Sequence, residues 1–346
     1  MGVGNHQGRP LAAGKIPLEL LSRLLDELPS PPPELRLGAQ IGEDACAIDV
    51  PEGVLIAAAD PITLTSEDAG RLAVLVNAND VAVSGARPRW FLAVVLVPPG
   101  TKDGELHGLF GSIRRTLAEV GAHLVGGHTE VTPAVTRPVV VGHMLGIAAG
   151  DPVKTGGFGP GDVVVQVRPA PIEGAAVLAR ALLDGSTAVS PEVLEQARGA
   201  LEEPGISVVE PALLATNLGA NALHDPTEGG LAGGLHEMAR AAGHRLVVDR
   251  SAILWFRPGL AVCEAARADP WSTLASGTLL ATFPPGIAED ALETLAREEH
   301  QAAVIGRAED GEGVWDSHGE PLAWPEVDEV ARLLSGEESE PPVATI

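Results

Sequence analysis

Acidic and amide residues recur at three points early in the chain. IGEDACAI sets Glu43 and Asp44 before an apolar run. AAADPI ends another at Asp60, and NANDVAVSGARP carries Asn79 and Asp80 inside a stretch of helical spacing. A carboxylate among Leu, Val and Ala is costly to desolvate unless it is paired or meets a cation. Each Asp alone reads first as a cap or turn residue. Together they read as an oxygen-only donor set, which suits Mg²⁺ or Ca²⁺ rather than zinc.

Two glycine-bearing segments add to this set. In LVGGHTEVT, Gly126 and Gly127 follow a short apolar run, and a turn there would aim backbone N–H groups at a ligand and line it with His128, Thr129 and Glu130. A plain structural turn is the alternative. In LHDPTEGGLAGGLHEMARAAG a strand ends at Asp225, and the turn Pro226-Thr227-Glu228-Gly229-Gly230 opens a helix whose N-terminus favours anions. Asp225 with Glu228 reads alternatively as a helix cap and capping box. Glycines 229, 230, 233 and 234 are costly in a helix and point to close backbone approach.

The elements that hold these residues follow from periodicity. IPLELLSRLLDEL (16–28) has leucines at helical spacing and stops at Pro31–Pro33. ACAIDV and VLIAAA form a strand pair around Pro51-Glu52-Gly53. A helix covers 68–85, a strand WFLAVVLV, a helix 103–121, a short strand HLVGG and a strand 137–148. The Gly- and Pro-rich DPVKTGGFGPGD (151–162) reads as a junction. Beyond it come the strand VVVQV, helices near 173–184, 190–201 and 208–219, the strand ANALHD, a helix over 229–242, the strand RLVVD and a last helix near 326–334. The expected organisation is a leader and helix (1–37), an N-terminal domain (38–150), a C-terminal α/β domain (151–335) and a flexible tail (336–346).

Composition narrows the partners. The chain of 346 residues is long enough for two domains, and its formal net charge of −24 opposes a nucleic-acid or anionic-membrane surface. Lys15, Lys102 and Lys154 are the only lysines, and the P-loop and GxGxxG signatures are absent. A bound nucleotide phosphate would therefore need metal ions to bridge it to carboxylates. Cys46 and Cys263, isolated in apolar surroundings, make neither a disulfide framework nor a zinc site. With no signal-peptide pattern and no apolar run of spanning length, a cytoplasmic protein is expected.

Taken in order, these motifs resemble the AIR synthase-related (PurM-like) superfamily. The carrying residues are Gly42-Glu43-Asp44-Ala45, Asp60, the run from Asn79 to Pro88, Gly126 to Thr129, and His224 to Leu231. Gly70-Arg71-Leu72-Ala73 before the Asn-Asp helix is most similar to the hydrogenase-maturation, HypE-like branch. The resemblance implies a two-domain α/β (α+β) fold whose N-terminal mixed sheet joins its copy in a shared barrel of a homodimer. It implies ATP between the domains and Mg²⁺ on its phosphates, held by Asp44, Asp60, Asp80 and Asp225. Asn79, Gly126, Gly127, Thr129, Asp225, Thr227, Gly229 and Gly230 would contact the nucleotide, and Asp80, His128 and Glu130 would serve catalysis. The implied chemistry is transfer of the ATP phosphoryl group to an acceptor oxygen, in hydrogenase maturation with a second maturation protein as partner. The alternatives are a thiamine-monophosphate kinase-like enzyme and a non-catalytic nucleotide-binding dimer. The branch's C-terminal Cys has no counterpart in Pro341-Pro342-Val343-Ala344-Thr345-Ile346, so an acceptor other than a tail thiol is expected.

Overall fold

The computed structural model describes residues 22, 33–37, 43, 45–51, 53–63, 68–181 and 188–335. The expected leader, the helix over 16–28 apart from Ser22, the tail and Asp44 lie outside the described residues.

The first half is one six-stranded mixed sheet under two helices. Its elements are β1 (Leu35–Leu37), β2 (Ala45–Val50), β3 (Gly53–Ile62), α1 (Ala69–Val83), β4 (Arg87–Val97), α2 (Asp103–Val120), β5 (His123–Val131) and β6 (Val139–Ala148). The strands lie in the order β1-β2-β3-β6-β4-β5, antiparallel throughout except for the parallel β4–β5 pair. The sheet is open within one chain, so the expected barrel needs a second copy. Period-2 alternation divides its faces: Val54, Ile56 and Ala58 are buried on the face that α1 covers, while Leu55, Leu145, Ile147 and Val94 look outward, half-buried.

α1 is buried along almost its whole length, Asn77, Asn79 and Asp80 included. Its approach to the sheet rests on Gly142 of β6, where a Cβ would stand 2.4 Å from Asn77 Nδ2 and 2.8 Å from the Ala73 carbonyl oxygen. Only a residue without a side chain admits the helix there.

The second half begins with β7 (Val163–Val167) and continues with α3 (Glu173–Ala181), α4 (Pro191–Arg198), α5 (Val209–Asn217), β8 (Ala222–His224), α6 (Gly230–Ala242), β9 (Arg245–Val248), α7 (Arg257–Ala266), β10 (Leu279–Phe283), α8 (Pro285–Arg297), β11 (Ala302–Glu309), β12 (Val314–Asp316) and α9 (Glu329–Ser335). Its six strands run β12-β9-β11-β7-β10-β8. The fold is mixed α/β with two mixed sheets, in the expected class. One buried core cluster runs through both halves, joining Leu72 and Val76 of α1 to Ile172, Ile206, Val208 and Leu279.

One local expectation fails. Gly126 and Gly127 are not in a turn: β5 is continuous from His123 to Val131 and pairs with β4 along its length. Gly127 lies at φ +144°, and a Cβ there would come within 2.0 Å of the Ala93 carbonyl oxygen, so close packing against β4 accounts for the glycine.

Candidate active site

Asp60 lies two residues inside the end of β3, on the face that α1 covers. Asn77 of α1 fixes that strand end. Its Oδ1 accepts the Asp60 N–H at 2.8 Å, and its Nδ2 donates to the Asp60 carbonyl at 3.2 Å and to the Ala73 carbonyl at 2.9 Å. The Asp60 backbone is thereby tied to α1, which carries Asp80 one turn further along.

Asn79 ties the same helix to the second half. Its Nδ2 donates to Ile206 O at 2.9 Å and its Oδ1 accepts Val208 N–H at 2.8 Å. The amide expected to contact a nucleotide spends hydrogen bonds at both ends on the 206–208 backbone, which gives it a positioning role. Arg180 of α3 adds a second tie, with Nη1 at 2.6 Å from Oδ2 of Asp68, the residue that precedes α1.

The turn from Asp225 to Gly230 is held from three sides. His224 Nε2 and Glu237 Oε2 stand 2.9 Å apart and buried, joining β8 to α6. Ala275 N–H donates to the Thr227 carbonyl at 3.1 Å. Gly229 N–H donates to Asp328 Oδ2 at 2.8 Å. The N-terminus of α6 has no side-chain cap of its own, so the reading of Asp225 and Glu228 as a local capping box is replaced by this long-range carboxylate. Gly230 sits at φ +65°, where a Cβ would lie 2.5 Å from the Trp271 carbonyl oxygen, the close approach expected of these glycines.

The two assemblies meet at a cavity of about 200 Å³. Asp60 and Thr63 from the first half and Glu173, Thr227, Glu228 and Ser276 from the second supply its polar wall, while Ile62, Val76 and Leu274 supply apolar wall. Asp80 and Asp225 are 3% and 1% exposed and stand outside that wall. The structure therefore brings the end of β3 and the Thr227 turn together.

It does not bring β5 to them within one chain. Asp60, Gly142, Ala93 and Gly127 occupy one row across β3, β6, β4 and β5. Three strand spacings separate Gly127 from Asp60, about 14 Å. His128 and Glu130 pair with Val94 and Leu96 of the outward face, and their Nε2 and Oε2 atoms are 3.8 Å apart at an exposed edge. Thr129 and Gly126 lie on the same exposed strand.

Glu173, absent from the sequence-derived candidates, is an acid of the cavity wall whose carboxyl is raised. Burial is the main cause of a carboxyl pKa pushed up to about 7; the hydrogen bond with Ser276 lowers it and the nearby Glu228 raises it. Its sequence signal is that of Asp80, a single acid in an apolar run, APIEGAAVLA. Asp328 is also pushed up to about 7, first by burial, against the lowering effect of the Gly229 and Val330 N–H groups. Cys263 is buried and its thiol is pushed up to about 12 by desolvation, which removes it as a nucleophile at neutral pH.

Among the described residues no three His, Cys, Asp or Glu side chains gather as a metal-binding group. The donor chemistry still fits magnesium. That ion keeps several waters and takes one or two carboxylates together with substrate phosphates, so a full protein cage is not required.

This fold, with a cavity between its halves, defines a member of the AIR synthase-related family, and the chain belongs to it. The family's N-terminal domain pattern (AIR synthase related protein, N-terminal domain) matches residues 42–148, and its C-terminal domain pattern matches residues 159–316. The chain is 30% identical over 253 residues to the carbamoyl dehydratase HypE of Rhodobacter capsulatus, covering 72% of each. It is 27% identical over 292 residues to the thiamine-monophosphate kinase of Pyrococcus horikoshii, covering 80% of this chain and 85% of that one. Among solved structures, the hydrogenase maturation protein HypE in complex with ATP superimposes with a TM-score of 0.65 at 23% identity, covering 93% of this chain and 98% of the other. No helix among the described residues is long and apolar enough to cross a membrane.

Proposed function

We propose that the protein is an ATP-dependent enzyme of the AIR synthase-related, HypE-like group that transfers the ATP phosphoryl group to an acceptor oxygen. The observation that carries this reading is the meeting of Asp60 with Thr227 and Glu228 on one cavity wall, between two halves pinned together through Asn79. The HypE and thiamine-monophosphate kinase relatives support ATP as the phosphoryl donor. The halves correspond on this reading to domains at 38–150 and 151–335, in a cytoplasmic enzyme.

In this reading Asp60, Asp80 and Asp225, with Asp44, hold magnesium; when bound, the metal offsets the charge of the phosphate oxygens. Asn77 keeps Asp60 in place, and Asp328 fixes the Thr227–Gly230 turn through the Gly229 N–H. Glu173 holds or accepts a proton at the cavity wall near neutral pH. His128 and Glu130 reach a nucleotide only from another copy's edge or after a rearrangement of β5. A homodimer is the matching assembly, since the outward face of the first sheet presents Leu55, Val94, Leu145 and Ile147 and β5 leaves one edge unpaired among the described residues. The chain is 30% identical to a carbamoyl dehydratase HypE, which favours a hydrogenase-maturation setting with a second maturation protein as partner. The thiamine-monophosphate kinase relative keeps a small-molecule kinase as the second reading.

Calorimetry with ATP and Mg²⁺ tests the proposal. Binding is expected with wild type, with at least about tenfold weakening in Asp80→Asn and in EDTA. Unchanged affinity in EDTA would remove the metal from the reading, and no nucleotide binding at all would remove the function.

A further inference from the structure

Asn79 binds a short segment of the second half, and a second side chain grips the same segment. Arg168 directly follows β7. Its Nη2 donates to the Pro204 and Gly205 carbonyls, each at 2.6 Å, and its Nη1 donates to the Ser207 carbonyl. Asn79 takes the Ile206 carbonyl and the Val208 N–H. All four carbonyls from 204 to 207 are thus engaged, three by a side chain of the second half and one by a side chain of the first.

Arg168 is built for this grip. It sits at φ +69°, a left-handed backbone that is costly for a residue with a Cβ. Two contacts hold it there. The fully buried Gln166 donates through Nε2 to the Arg168 carbonyl at 3.1 Å and to the Leu254 carbonyl at 2.9 Å. The Arg168 N–H donates to the Gln301 carbonyl at 2.7 Å. Burial disfavours the charged guanidinium, and Glu203 opposes that effect more weakly. The planar fork fixes where its three carbonyls lie, which a flexible ammonium would not do.

The gripped segment has little freedom to slip. Ile206 and Val208 are fully buried and share a core cluster with Leu72 and Val76 of α1. A Cβ on Gly277 would lie 3.0 Å from Ile206 Cα, and Gly277 follows Ser276 of the cavity wall. On the other side α1 carries Asp80 next to Asn79, and Asn77, which holds Asp60. A displaced 204–208 segment would therefore shift α1 against the Thr227 turn. Arg87 and Glu210 also join the halves here, Nη1 to Oε1 at 2.7 Å, but both are exposed, so solvent screens the pair.

We propose that Arg168 is a positioning residue for the nucleotide site: by gripping residues 204–207 it fixes Asn79, and through α1 the Asp60 and Asp80 carboxylates, against the Thr227–Gly230 turn. What the site binds rests on the function proposed above; the bridge rests on the hydrogen bonds alone. A misplacement of about 1 Å far from the chemistry can cost about 100-fold in rate, so losing the fork should register at the phosphate end.

The test is calorimetry of the full chain with ATP and Mg²⁺, together with hydrogen exchange over 69–83 and 200–212 in the absence of nucleotide. Arg168→Ala is expected to bind at least about tenfold more weakly and to exchange faster in both segments. Asn79→Ala should behave alike, and the double variant should lose little more than the worse single one, since each removes the same bridge. Arg168→Lys keeps the charge without the fork and should fall between wild type and Arg168→Ala. Arg87→Ala, which removes only the exposed pair, should stay within about twofold of wild type. A thermal melt checks folding; if Arg168→Ala does not fold, Arg168→Lys must still bind at least about threefold more weakly. Affinity of Arg168→Ala within about twofold of wild type would overturn the proposal. So would faster exchange confined to 200–212, an equal loss in Arg87→Ala, or additive losses in the double variant. A wild type that binds no ATP would sink the phosphoryl-transfer reading instead, and exchange over 69–83 would still decide the bridge.

Discussion

Asn77 holds Asp60 by its backbone, not by its side chain: one amide accepts the Asp60 N–H at 2.8 Å and donates to the Asp60 carbonyl at 3.2 Å. Asp60 thus borders the cavity while the chain that carries it is clamped to α1. Asn77 is fully buried, so the amide has no water to fall back on.

Removing that clamp should be expensive. Asn77→Ala leaves the Asp60 N–H without its partner and is expected to cost about 2–4 kcal/mol of stability in urea unfolding. Affinity for ATP with Mg²⁺ should fall as well, because the strand end loses its fixed position. A stability loss under about 0.5 kcal/mol would show that the clamp is dispensable.

Two glycine substitutions should move stability in opposite directions. Gly142→Ala forces a methyl group to 2.4 Å from Asn77 Nδ2 and must push α1 off the sheet. A loss of about 1–3 kcal/mol is expected, as for overpacked cores. Gly108 sits exposed within α2, where a Cβ would meet nothing within 4 Å. Gly108→Ala is expected to gain up to about 1 kcal/mol from helix propensity. Melting temperatures that shift the same way for both would contradict the packing described here.

The buried acids give stability a pH dependence of defined sign. Glu173 keeps its proton up to about pH 7 in the folded chain, against an ordinary value of 4.5. Asp328 is raised in the same way, from 3.8 to about 7. Between these limits the folded state binds more protons than the unfolded one, so both groups lower stability as pH rises and level off above about 7. Glu173→Gln should flatten the melting temperature between about pH 4.5 and 7, and should gain on wild type at about pH 8 but not at about pH 4.5. Parallel curves for the two proteins would argue that Glu173 is ionised throughout.

The outward face of the first sheet should report on assembly. At micromolar concentration, sedimentation is expected to give twice the monomer mass. Leu145→Asp, which introduces a charge on that face without touching the α1 side, is expected to shift the population to monomer with the fold retained. A wild-type monomer under these conditions would end the homodimer reading.

Periodicity and motif spacing by themselves determined the strand pair around Gly53, the helix carrying Asn79 and Asp80, the turn after His224 and the mixed α/β class. These depend on local propensity and on the alternation of apolar residues, which the chain displays in order. Tertiary structure decided the rest. Gly126 and Gly127 read locally as a turn, yet pairing with β4 extends them into a strand, because sheet hydrogen bonds and close backbone contact outweigh the flexibility of glycine. Asp225 and Glu228 read locally as a cap, yet Asp328, 99 residues from Gly229, supplies it. Asn79 read as a ligand contact, and its amide binds backbone 127 and 129 residues away. Glu173 became visible as a site residue only when folding removed its water, since a carboxyl's proton affinity is set by the surroundings that distant segments build around it.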